Sequence, residues 1–76
     1  MEIKVVSRLN YDGYEMNGKD YGIWEVDSLA RELDLDDIAD IVWVKGRNTF
    51  TGKEVSDKFL ARMQEHLYKA FRNQFE

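Results

Sequence analysis

Seventy-six residues, no cysteine and a formal charge of −4 set the bounds: a chain this short buries only about 60 % of its unfolded surface and supports one core, hence one domain over residues 1–76. The missing thiols exclude disulfides, thiolate catalysis and cysteine-ligated zinc or iron–sulfur sites. A hydrophobic fraction of 43 % with 13 % aromatics stands against intrinsic disorder despite 34 % charged residues.

Residues 2–9 alternate Ile3, Val5, Ser7 and Leu9 against Glu2, Lys4, Val6 and Arg8, the period-two pattern of a half-buried strand. Asn10, Asp12 and Gly13 favour a turn. Two short aromatic-bearing runs, 14–16 and 19–24, then flank Asn17-Gly18, and that dipeptide predicts a hairpin because a type I′ turn needs positive φ at both central residues. Residues 26–33 space Val26, Leu29, Ala30 and Leu33 at helical intervals behind Asp27 or Ser28, either of which can cap the first amides. A start near Asp20 would place Gly22 inside the first turn at a cost of about 1 kcal/mol, so the later start is preferred.

Residues 34–40 form an acidic connection with room for one helical turn. Ile41, Val42, Trp43 and Val44 follow as a buried strand by their β-branched and aromatic content. After the loop KGRNTFTGK, residues 45–53, Ser56 caps a helix over 58–75 that neither glycine nor proline interrupts for roughly five turns. At about 100° per residue, Phe59, Leu60, Met63, Leu67, Ala70 and Phe71 share one face, Lys58, Arg62, Lys69 and Arg72 form a basic stripe broken by Glu65, and Tyr68 lies opposite the core. The expected architecture is α+β, a small antiparallel sheet packed on one face by the long C-terminal helix and a shorter central helix.

The longest apolar run, residues 41–44, is far below the ~20 residues that cross a bilayer. Glu2 and Arg8 break up the apolar stretch that a signal peptide needs, so the expectation is a cytoplasmic protein with no membrane partner. Charge is distributed unevenly: residues 1–44 carry eleven carboxylates against four cations, a balance of −7, and residues 45–76 carry seven cations against four carboxylates, +3. Such asymmetry marks a docking face, a nucleic-acid face, or two elements that attract within the fold.

The motifs exclude more than they identify. The 45–53 loop fails as a phosphate cradle: Gly46 and Gly52 enclose five residues where the motif has four, and Glu54 follows Lys53 where a hydroxyl must hold magnesium. As a nucleic-acid contact it would use Lys45, Arg47 and Lys53 on phosphates and Phe50 on a base, extended by Lys58, Arg62, Lys69 and Arg72. The sequence pI of about 4.9 argues against it. Asp34, Asp36, Asp37 and Asp40 lack the glycine and twelfth-place glutamate of a calcium loop and read as helix caps, so no metal is expected. His66, the sole histidine, sits at the edge of the apolar helix face with no partner for general-base work.

The expected function is therefore non-enzymatic and cofactor-free: a regulatory binding protein docking on another protein through an acidic, DNA-mimic-like surface of residues 12–40, with Asp27, Glu32, Asp34, Asp36, Asp37 and Asp40 as its contacts. Nucleic-acid binding through the basic set is the alternative. Ten aromatics in so small a chain also imply that several lie at the surface, where Tyr and Trp concentrate binding energy.

Overall fold

In the computed structural model, which describes residues 1–75, the alternation of the first residues becomes β1 (Glu2–Ser7), with Ile3 and Val5 fully buried. β2 (Asp12–Met16) returns antiparallel to it, and β3 (Lys19–Gly22) closes the predicted hairpin. Asn17 and Gly18 take φ of 54° and 78°, the two left-handed residues a type I′ turn requires. A 3-10 turn at Ile23–Glu25 leads into α1 (Val26–Arg31), then α2 (Leu35–Ala39), β4 (Val42–Asn48) and the long α3 (Asp57–Asn73).

The strand order is β3-β2-β1-β4, and β4 runs parallel to β1. The α+β architecture with its long and short helices is as expected, but the sheet is mixed. The reason lies in the connection. A chain that crosses back through two helices re-enters the sheet in its original direction, so β4 runs parallel where it pairs with β1 (Glu2 with Val42, Lys4 with Val44). A bulge between Val5 and Ser7 sets two β4 residues against one.

One face of the sheet is covered. Ile3, Val5, Tyr14, Met16 and Tyr21 pack there against Leu29, Ala30 and Leu33 from the central helix region and Met63, Leu67, Ala70 and Phe71 of α3, which joins the buried strand positions to the predicted helical arc. Tyr14 is fully buried, and its hydroxyl donates to the Met63 carbonyl at 2.6 Å, tying sheet to helix. Ser56 caps α3, its Oγ accepting from the Phe59 amide at 3.1 Å.

Three local expectations shift. Helical structure begins at Ile23, ahead of the preferred start, with Glu25 accepting from the Gly22 amide. Gly22 therefore stays in the extended strand, outside the turn. The basic "loop" starts later, because Lys45 to Asn48 belong to β4 and leave only 49–53 as turn. Tyr68 is half-buried rather than opposed to the core: Trp43 projects from β4 past the helix flank, and its indole Nε1 donates to the Tyr68 hydroxyl at 3.0 Å. Glu76, counted among the acids above, lies outside the described residues.

Candidate functional site

The six carboxylates expected to dock lie on or beside two short helices. Asp34 and Asp37 cap α2 reciprocally: Asp34 Oδ1 accepts from the Asp37 amide at 2.9 Å, and Asp37 Oδ2 accepts from the Asp34 amide at 3.1 Å. Glu32 accepts the Tyr21 hydroxyl. That hydrogen bond, with burial and the negative charges of Glu32 and Glu25, pushes the Tyr21 phenol up to about 12. Asp27, Asp36 and Asp40 remain exposed. None of these six carboxylates forms an ion pair among the described residues. Leu35, between Asp34 and Asp36 in sequence, has 70 % of its surface exposed.

The ion pairs that do form stay within each half of the chain. Arg8 bridges Glu15 (3.3 Å) and Asp20 (3.1 Å), and Lys45 pairs with Asp57. Strand alternation turns Lys45 toward the first turn of α3, where its hydrogen bond to Asp57 holds the ammonium above its ordinary pKa against partial desolvation. Among the described residues, the opposite charges of the two halves therefore do not neutralise one another by direct pairing.

The basic residues are more dispersed. Arg47 donates to the Gly52 carbonyl at 2.6 Å, and Asn48 Oδ1 accepts from the Phe50 and Thr51 amides, so side chains at the end of β4 hold the backbone of the 49–53 turn. This is the solvated-turn reading of KGRNTFTGK. Phe50 projects from it, 78 % exposed, beside exposed Lys53. On α3, Arg62 rests over the Phe59 ring at 5.4 Å, while Lys58, Lys69 and Arg72 point to solvent. His66 is exposed in a shallow groove with Arg62, Glu65 and Lys69, all on one helix.

Sequence reasoning overlooked the uncovered sheet face. It carries Lys4 and Val6 from β1, Gly13 and Glu15 from β2, Asp20 and Gly22 from β3, and Val44 from β4. At its β3 side Tyr11 and Trp24 meet edge to face at 5.2 Å, over two facing glycines. A Cβ on Gly22 would strike the indole, so the ring takes the place of a side chain. Trp24 is nevertheless 68 % exposed. The available signal was the minor register of the first strand, in which Lys4, Val6 and Arg8 share one side.

Toward the carboxyl ends of β1 and β4 this face deepens into a cleft of about 410 Å³, walled by Lys4, Arg8, Glu15, Arg47 and Glu54 over Val6, Val44 and Gly46. Among the described residues, no helix is long and apolar enough to cross a membrane. No protein family, curated protein or solved structure matches this chain.

Proposed function

We propose that this chain is a small cytoplasmic binding protein that docks on a basic macromolecule through α1 and α2, as an inhibitor or DNA-mimicking regulator does. The observation that supports it is the set of six carboxylates, Asp27, Glu32, Asp34, Asp36, Asp37 and Asp40, with no cation paired to them among the described residues. Unneutralised like charges on one surface raise the rate and selectivity of encounter with a basic partner. Exposed Leu35, between Asp34 and Asp36 in sequence, adds an apolar anchor.

Cross-linking in cells tests the reading, comparing the native chain with an Asp27→Asn/Asp36→Asn/Asp40→Asn variant that spares the α2 cap. A basic partner captured by the native chain should be lost by the variant, and the purified complex should dissociate as salt rises from about 0.1 to 1 M, where screening shortens from roughly 10 to 3 Å. Retention of the same partners by the variant, or a salt-insensitive complex, refutes it.

One observation favours nucleic acid as a second reading: Phe50 stands out of the turn between Arg47 and Lys53, the arrangement of a stacking side chain flanked by phosphate contacts. It predicts mobility shifts with single-stranded DNA at low salt that Phe50→Ala and Lys53→Ala weaken. No shift at low salt ends it.

A further inference from the structure

We propose that the cleft on the uncovered sheet face binds a phosphate monoester dianion through Lys4, Arg8 and Arg47. The site is independent of the acidic docking surface. Asp40 lies beside Met1, at the amino ends of the two parallel strands, whereas the cleft opens at their carboxyl ends.

Charge is the first ground. The chain is negative overall, yet this cleft is lined by four cations (Lys4, Arg8, Lys45, Arg47) and only two carboxylates, Glu15 and Glu54. Three of those cations, Lys4, Arg8 and Arg47, face it, an excess of one over its carboxylates that favours an anion. Lys45 is turned away to Asp57, and Glu15 is held by Arg8. Donors remain on the others. Lys4 has no ion pair among the described residues, and Arg47 spends only Nη1, on the Gly52 carbonyl. Arg8 reaches Glu15 and Asp20 through a single nitrogen, Nη2, and its enclosed Nε is the one buried side-chain polar atom without a partner among the described residues. With only Nη1 committed, Arg47 retains the Nε–Nη2 pair of donors that suits planar, two-point recognition of phosphate.

Shape is the second ground. At about 410 Å³ the space exceeds what a bare phosphate needs and falls in the 300–1,000 Å³ range of small-molecule sites. Its apolar lining is Val44 with the buried Val6 beneath, and Gly46 lies so close to β1 that a Cβ would come within 2.5 Å of the Val5 carbonyl oxygen. Phosphate donors around an apolar lining fit an ester whose organic part lies on Val44.

Amide NMR titration of the full chain at low salt provides the test, with inorganic phosphate, adenosine 5′-monophosphate, adenosine, and a short single-stranded oligonucleotide with and without a 5′-phosphate. Phosphate and the monophosphate should shift Val6, Gly46 and Arg47, and adenosine should not. Lys4→Gln and Arg47→Gln should each weaken binding roughly tenfold, the scale of one charge-assisted hydrogen bond. Glu54→Gln should tighten it. Neither position has an ion pair among the described residues, Arg47→Gln gives up the side-chain hydrogen bond to the Gly52 carbonyl, and the same spectra verify that each variant keeps the fold.

If the phosphorylated oligonucleotide binds more tightly than the monophosphate with the same variant sensitivity, the ester is a nucleic-acid terminus. If the two are equal, it is a free small molecule. The proposal is overturned by absence of shifts at millimolar phosphate, by binding that ignores Lys4→Gln and Arg47→Gln, or by oligonucleotide binding that does not require the 5′-phosphate.

Discussion

Tyr14 and Tyr21 occupy facing positions on β2 and β3, and both hydroxyls are committed, one to the Met63 carbonyl and the other to Glu32. Burial makes ionisation of Tyr14 harder than usual, and the Glu32 hydrogen bond does the same for Tyr21, to about 12. Below the ordinary phenol value of 10.0 both are protonated whether folded or not, so their contribution is complete. Above it the unfolded chain ionises first, and the contribution is lost as pH climbs through about 12. The urea midpoint should therefore fall between pH 10 and 12, with tyrosinate absorbance rising only as the chain unfolds. Tyr21→Phe should flatten that decline. Gly46→Ala offers a second check, because the new methyl would meet the Val5 carbonyl oxygen at 2.5 Å and Val6 at 2.6 Å. A loss of about 1–3 kcal/mol in urea unfolding is expected from such overpacking.

Among the elements, α3 and the β2–β3 hairpin were the most legible in the sequence, for different reasons. In α3 the apolar spacing and Ser56 agree over an uninterrupted stretch. The hairpin rests on one dipeptide whose backbone preference has few alternatives. Removing the cap by Ser56→Ala should cost about 1 kcal/mol, read as a Tm lower by roughly 4–8 °C for a domain of this size. What residue patterns did not carry was partnership. Ile41, Val42, Trp43 and Val44 read as a strand whether they pair with β3 or β1; the crossover through α1 and α2 makes either pairing parallel, and the folded sheet places β4 beside β1. The same gap hid the cleft. Lys4 and Arg47 are far apart in sequence and meet because β1 and β4 lie side by side. The acidic residues, by contrast, lie close together in sequence on or beside α1 and α2, so their grouping needs no long-range pairing.

Across the whole molecule, helices cover one side of the sheet and leave the other to solvent, which keeps the acidic helices apart from the cationic cleft. Like charges on α1 and α2 repel, and with no ion pairs to lose there among the described residues, neutralising Asp27, Asp36 and Asp40 should leave Tm unchanged or slightly raised. Differential scanning calorimetry beside the partner-capture experiment separates this from misfolding. A marked fall in Tm would mean that these carboxylates hold the fold together.

The strand nearest the start of the chain lies inside the sheet, flanked by β2 on one side and by β4 on the other. Its neighbour on the second side is synthesised only after the hairpin and both short helices, so a nascent β1 stays half-matched until β4 has been made. Once assembled, the order of protection reverses: backbone amides of Ile3 and Val5 should exchange with deuterium last, at rates set by global opening, while the outer edge of β3 exchanges early.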